Sequence, residues 1–217
     1  MKLRNRLILI ALGATALSGC RSSGEIVIDE SVGVTAVRSA CPAIGIPDYT
    51  GDITLFRSPG NTSAANMDVT AAVTNLRSQC NEEAGDKVYA QASFDVHARR
   101  TDTRGARTVS LPYFITVMRG GSAVIAKRVG TVTLTFADGQ ERASASASGG
   151  AFIDRAEATL PEDIRRRITR KRRAGDEDAA VDPLSEPDVR AAVTRATFEL
   201  LVGFQLDESQ LAYNATR

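Results

Sequence analysis

The clearest pattern in the chain is a strict alternation of apolar and polar residues in one segment, KVYAQASFDVHARR, which runs from Lys87 to Arg100. Val88 and Phe94 fall on the apolar side of this period-two pattern, and His97 falls on the polar side. An alternation of this length is typical of a β-strand with one buried and one exposed face. It therefore predicts that His97 lies on a solvent-exposed strand face.

Shorter alternations predict further strands on both sides of this segment. They cover residues 25–29, 43–46, 53–57, 69–80, 109–117, 122–128, 132–136 and 142–148. Pro112 indicates an edge strand or a bulge, and Gly130 indicates a bulge between two runs. About seven or eight strands separated by regular turns predict a mainly β protein, an antiparallel β-sandwich for which the immunoglobulin fold is an analogy.

The spacing of apolar residues becomes helical after about residue 159. Thr159 to Glu162 is interpreted as a capping box that opens a helix, and residues 187–202 predict a second helix. The apolar stripe of this second helix consists of Val189, Val193, Ala196, Leu200 and Phe204. Asp207 and Gln210 predict a capping box for a last, short helix. We expect this helical material to pack on one face or end of the sandwich.

The first 20 residues, MKLRNRLILIALGATALSGC, follow a different pattern. Lys2, Arg4 and Arg6 precede an uncharged apolar run over residues 7–17. A membrane span needs roughly 20 apolar residues, whereas the core of a signal peptide has roughly 7–15. The run therefore has the length of a signal-peptide core.

The segment Leu17-Ser18-Gly19-Cys20 resembles the lipobox of bacterial lipoproteins, which is Leu, a small residue, Gly or Ala, and Cys. The resemblance implies cleavage before Cys20, diacylglycerol on its thiol and an acyl chain on the new amino terminus. Each buried CH₂ contributes about 0.8 kcal/mol, so several chains form a stable anchor. The alternatives are an ordinary signal peptide with an incidental cysteine, or a small amphipathic anchor.

The family also implies a location, because an Asp directly after the lipidated cysteine tends to retain such proteins at the inner membrane. Arg21 stands at this position, which favours the outer membrane of a bacterial envelope, with the domain facing the periplasm. We expect a cleaved signal peptide (1–19), a lipidated tether (20–24), a β-sandwich domain (25–158) and a helical extension of the same domain (159–217). The short tether would keep the folded domain close to the lipid surface.

Composition sets further bounds on function. Removal of residues 1–19 leaves 198 residues, enough for one domain with a substantial core or at most two small ones. The formal net charge is +1 and three positive residues lie in the signal, so the mature chain has a formal charge of −2 and no global basic field for nucleic acid. Trp is absent and aromatics are 5% of residues, which disfavours aromatic platforms for sugars or single-stranded nucleic acid.

Once Cys20 carries lipid, Cys41 and Cys80 remain as an even pair in an oxidising compartment, where a disulfide is expected. Closing a loop of about 40 residues would stabilise the fold by roughly 4 kcal/mol. A metal site is an alternative, but the two cysteines have no nearby histidine as a further ligand. A catalytic thiol is a second alternative, but it would need a base, and His97 is the only histidine in the chain.

His97 has two interpretations, a general base or a surface residue of a strand, and the absence of a neighbouring nucleophile in the sequence favours the second. The chain also contains no serine-hydrolase, zinc-protease or phosphate-loop motif. The sequence therefore predicts a protein that is not an enzyme and needs no cofactor beyond the covalent lipid on Cys20.

One charged segment is unusual, since seven of nine consecutive residues are basic and several acidic residues follow them. The basic residues are Arg165, Arg166, Arg167, Arg170, Lys171, Arg172 and Arg173. On a helix they would encircle the axis, so we expect the segment to be largely exposed. The two charge blocks can neutralise each other in a solvated connector, the basic block can bind anionic lipid phosphates, or it can bind an acidic protein.

These observations predict a non-catalytic envelope lipoprotein that acts as an assembly, scaffold or accessory subunit for an envelope protein partner. The alternative is a lipid- or ligand-binding module that uses the basic segment 165–173 beside anionic lipid. Nucleic acid is excluded as a partner by compartment.

Replacing Cys20 with Ser should leave an unprocessed precursor, because the thiol is the acceptor of the diacylglycerol. Intact-mass spectrometry of the purified protein should then give the unmodified chain from Met1. Ser22→Ala, two residues further on, should be processed and acylated as the parent is. An intact Met1 together with a free Cys20 thiol in the parent protein would exclude the lipoprotein interpretation.

Overall fold

A computed structural model of the chain describes residues 39–83, 85–173, 175–177 and 180–217. The predicted signal peptide, Cys20, the tether and the predicted strand 25–29 lie outside the described residues. Arg172, Arg173 and residues 175–177 belong to a compact unit separate from the one that holds both sheets. Within that unit, the Arg173 amide donates to Asp176 Oδ2 at 2.9 Å and closes a turn.

The larger unit is a β-sandwich, as predicted. Its strands are β1 (Ala43–Gly45), β2 (Asp52–Phe56), β3 (Met67–Asn81), β4 (Lys87–Arg100), β5 (Arg107–Arg119), β6 (Ala123–Phe136), β7 (Arg142–Asp154) and β8 (Phe198–Phe204). One sheet has the order β1-β8-β5-β6 and the other has the order β2-β3-β4-β7. All neighbouring strands are antiparallel except β1 and β8, which are parallel.

The inward-facing rows of the two sheets form one apolar core. The alternation predicted for β4 is confirmed, since Val88, Phe94 and Val96 are buried and His97 is exposed. Leu111 of β5 and Leu134 of β6 contribute to the core from the opposite sheet. Each Å² of apolar surface that folding removes from water contributes about 25 cal/mol, so burial of this core is the main favourable contribution to the free energy of folding.

Two predictions about the middle strands are wrong. β6 is continuous through Gly130, and its register shift with β5 lies instead opposite Val117 and Met118. Gly130 is needed because a Cβ there would lie 2.6 Å from Cζ of Tyr113. β5 is an interior strand in spite of Pro112. This proline lies just beyond Tyr113, where the pairing with β8 ends, so its missing N–H removes no ladder bond on that side.

The α-helices among the described residues are α1 (Arg155–Ala158), α2 (Glu162–Thr169), α3 (Pro187–Arg195) and α4 (Glu208–Thr216). The predicted helix over 187–202 is correct only to Arg195, because Phe198–Phe204 forms β8. The predicted capping box at Thr159 is also wrong. The Thr159 hydroxyl donates to the carbonyl of Arg155, and Pro161 precedes α2 without a side-chain cap. The capping box of Asp207 and Gln210 is confirmed.

The C-terminal helices pack in two places. α2 and α3 share a small second core formed by Ile164, Ile168, Val189 and Ala192. α4 contacts β2 and the turn before it, where Nδ2 of Asn214 donates to the carbonyls of Tyr49 and Asp52 at 2.8 Å. The chain therefore returns to the β2 edge of the sandwich at its end.

Arg100, the last residue of β4, is fully buried although it is charged. Its guanidinium donates at 2.7 to 2.8 Å to the backbone carbonyls of Thr103, Gly105, Ala137 and Gln140. The guanidinium carbon also lies 5.3 Å from the ring centroid of Phe136. A buried cation is tolerated only when hydrogen bonds compensate for lost water, and four charge-assisted bonds meet this requirement here.

The predicted disulfide between Cys41 and Cys80 is present. Cys41 lies just before β1, in one sheet, and Cys80 lies near the end of β3, in the other. The bond therefore ties the two sheets together across a sequence separation of 39 residues.

Arg100→Met should lower the free energy of unfolding by about 3–5 kcal/mol, because it removes one partner of a buried charge network and leaves four carbonyls without donors. Urea unfolding followed by circular dichroism measures this change. The control is Arg99→Met at the neighbouring exposed arginine, where loss of the surface ion pair with Glu141 should cost at most about 1 kcal/mol. Equal losses at both positions would contradict the role given to Arg100.

Replacing Cys41 and Cys80 together with Ser should lower the free energy of unfolding by about 4 kcal/mol, because the unfolded chain regains the entropy of an open loop. Dithiothreitol should lower the stability of the parent protein by a similar amount and leave the double variant unchanged. A parent protein insensitive to the reductant, with two free thiols by mass spectrometry, would contradict the disulfide.

Candidate functional site

The sandwich is open along one side, where β6 and β7 are the outermost strands of their sheets. In the second half of β6, Val132, Leu134 and Phe136 are buried in the core. In its first half every residue from Ala123 to Val129 is exposed. The two sheets therefore enclose the core at one end of β6 and leave it accessible at the other.

This opening forms a groove of about 520 Å³ between β5, β6 and β7. Its walls include Tyr113 and Ile115 of β5, Arg128 and Val129 of β6, and Ala151 and Phe152 of β7. Among the described strands β6 pairs only with β5, so its other edge presents backbone N–H and C=O groups that none of these strands occupies.

Glycines allow the strands to come together at the floor of the groove. A Cβ on Gly149 would clash with the Cδ1 of Ile115, so β7 can approach β5 only without a side chain at this position. A Cβ on Gly150 would lie 2.6 Å from the carbonyl oxygen of Ala90 and 2.8 Å from the hydroxyl of Tyr89. The Gly149-Gly150 pair thus sets the close packing around the groove.

The electrostatics of the groove are positive. Arg128 follows the alternation of Val132 and Leu134, which places it on the inward row of β6, yet it is exposed because none of the described residues covers that half of the strand. Nζ of Lys127 lies 5.0 Å from the ring centroid of Phe114 on the other side of the strand. No acidic side chain is among the described residues that line the groove.

Large apolar side chains are also exposed on β6 and β7. Val124 and Val129 of β6 are 61% and 57% exposed, and Phe152 of β7 is 66% exposed. Phe152 packs against Tyr89 with ring centroids 4.8 Å apart. Exposed apolar residues that cluster beside an unpaired strand edge are typical of a protein-binding surface.

The structure places His97 on the exposed outer face of β4, in register with Ala72 and Ser144. Its side chain makes no hydrogen bond within the described residues. Two residues earlier, hydrogen bonds from Ser146 and Asn75 hold the pKa of Asp95 below its usual range. The Asp95 carboxylate thus accepts hydrogen bonds from Ser146 and Asn75 and not from His97.

The basic segment does not form one free cationic patch. Arg165 and Arg166 pair with Glu162 on the same helix, and Arg167 pairs with Glu186 and Asp188 near the start of α3. The hydrogen bond from Arg167 lowers the pKa of the Asp188 carboxyl.

The remaining residues of this segment are divided between the two units. Arg170 and Lys171 follow α2 in the larger unit, whereas Arg172 and Arg173 belong to the smaller one. Most of these basic residues are exposed, as expected for the segment, but Arg172 is buried. Glu162, Glu186 and Asp188, which pair with these arginines, lie in or next to α2 and α3 and not in the acidic block after residue 175.

The described part of the chain lacks two further features. It contains no group of three or more His, Cys, Asp or Glu side chains arranged to hold a metal ion. Its helices are each too short or too polar to cross a bilayer.

Comparison with protein-family models, with curated proteins and with solved structures gives no match for this chain. The groove residues Lys127, Arg128 and Phe152 were missed from the sequence. One signal for them exists: Arg128 shares the even-numbered positions of the buried residues Val132 and Leu134, so a charge stands where the pattern of the strand requires an apolar residue.

Proposed function

We propose that this protein is a lipid-anchored, non-catalytic subunit of the bacterial envelope that binds a partner protein along the open side of its sandwich. The observation that carries the proposal is the exposed first half of β6, Ala123 to Val129, beside an apolar groove. An extended segment of the partner would add to β6 as a further strand. Main-chain hydrogen bonds would supply affinity, and alternate side chains would enter the groove.

The charge of the groove indicates the chemistry of this partner segment. Arg128 faces a groove without acidic lining, and Lys127 is exposed beside it on the same strand, so acidic side chains in the partner would complement them. A second copy of this chain is a poorer occupant. Antiparallel pairing of two β6 edges around this half of the strand would bring the same cations together, and like-charge repulsion opposes that arrangement.

The proposed lipid anchor rests on the lipobox at Leu17 to Cys20. The proposed outer-membrane location rests on Arg21, which follows the lipobox in place of the Asp that retains lipoproteins at the inner membrane. The disulfide of Cys41 and Cys80 supports an oxidising compartment, since such bonds are rare in the cytosol. The lipid-binding alternative through residues 165–173 has less support, because Arg165, Arg166 and Arg167 already pair with carboxylates of the same chain.

Site-specific photo-crosslinking in cells tests the proposal. A benzophenone amino acid at Val129 should give one defined adduct, and mass spectrometry should place the cross-link in an acidic, extended segment of the partner. The control is the same probe at Val181, which is 46% exposed and lies far along the chain from β6, and it should give no such adduct. A cross-link between two copies of this chain would contradict the proposal.

Charge reversal sharpens this test. Arg128→Glu should reduce the adduct at least tenfold, because it places a carboxylate in front of the acidic partner segment. A Lys introduced at the cross-linked acidic position should restore the adduct. Lys87→Glu, the same change of charge at an exposed position of β4, should have no effect. Equal adducts from both reversal variants would overturn the role of the groove.

A further inference from the structure

A second concave surface lies on the outer face of the sheet β2-β3-β4-β7 and has a volume of about 560 Å³. It is separate from the groove, because no residue lines both. The C-terminal residue Arg217, which follows α4, reaches this surface and pairs with Asp52 of β2.

Strand register arranges this surface in two rows that cross all four strands. One row consists of Thr54, Thr70, Arg99 and Arg142, and the other of Asp52, Ala72, His97 and Ser144. Ala72 lies in the middle of its row and has the smallest side chain of the set, so larger neighbours surround it. This arrangement explains the depression in an otherwise regular sheet face.

The charges of the surface are incompletely paired. Arg99 and Arg142 lie directly opposite each other on antiparallel strands, where like charges repel. Arg99 has Glu141 as a partner, with Nε and Oε1 2.5 Å apart. Arg142 makes no ion pair or hydrogen bond within the described residues, and neither do the side chains of Thr70 and Ser144.

We propose that this surface binds a phosphate group between Arg142 and Arg99. A guanidinium matches a phosphate with two parallel N–H···O bonds, and opposite residues on paired strands have Cβ atoms only about 5 Å apart, so both can reach one anion. Ser144 and His97, in the next row, supply further donors. The bound anion removes the repulsion between the two arginines, and the remaining volume takes the group that carries the phosphate.

Isothermal titration of the purified full-length protein in non-ionic detergent with inorganic phosphate tests this site without any protein partner. The parent should bind phosphate saturably, and Arg142→Gln should weaken the affinity about tenfold, as loss of charged hydrogen bonds predicts. The control is Arg195→Gln, which removes an exposed arginine at the end of α3, outside both concave surfaces, and should leave the affinity unchanged. Phosphate binding that is absent, or equal in the parent and in Arg142→Gln, would overturn the proposal.

Lipids added to the detergent micelles distinguish the sources of the phosphate, because a lipid anchor would carry the protein onto any vesicle. Arg142-dependent titration by phosphatidylglycerol, but not by phosphatidylcholine, would support a lipid headgroup as the ligand. Binding of inorganic phosphate without an Arg142-dependent response to phosphatidylglycerol would support a soluble or polymer-borne phosphate. Because neither assay involves the β6 edge, failure here leaves the photo-crosslinking result unaffected, and the reverse also holds.

Discussion

Four carbonyl oxygens converge on the buried guanidinium of Arg100, and this contact holds one end of the sandwich together. The carbonyls belong to two loops, residues 101–106 and 137–141, and each loop carries the chain from one sheet to the other. Because the donors are fixed in a planar fork, the two loops cannot separate without exposing unsatisfied carbonyls or the charge. The position of the two sheets at this end is therefore set by one side chain.

This constraint explains how the sandwich can be open elsewhere. Near the Arg100 end, β6 buries Val132, Leu134 and Phe136 on its inward row. Further along the same row come Gly130 and Arg128, which provide neither volume nor apolar surface to bring the sheets together. The disulfide of Cys41 and Cys80 provides a second connection between the sheets, made by the chain before β1. A groove along β6 and β7 is the consequence of holding the two sheets by these connections.

The long strands could be predicted from sequence because their alternation is local and extends over many residues, as in β4. The strand β8 could not be predicted in this way, because the apolar residues after residue 187 fit both the helical spacing and the alternation of a strand. Val189, Val193 and Leu200 fit a helical stripe, whereas Phe198, Leu200 and Phe204 fit an alternating strand. Residues 198–204 form a strand because they pair with β1 and β5, which lie far away in the chain, and no local sequence pattern contains this pairing. The groove was missed for the same reason, since it depends on how β7 approaches β5.

The arginines of this chain differ in their partners, and the partners are more informative than the formal charge. Arg100 binds carbonyls, and Arg167 binds the carboxylates of Glu186 and Asp188, so both guanidinium groups are engaged by partners within the fold. Arg128 and Arg142 have no partner among the described residues, and each lies in a concave surface. A dense run of basic residues attracts attention in the sequence, but a cation that the fold leaves unpaired is the one with interaction energy available for a ligand. On that criterion, the surfaces that we propose for binding lie on the sheets of this protein and not in its most basic segment.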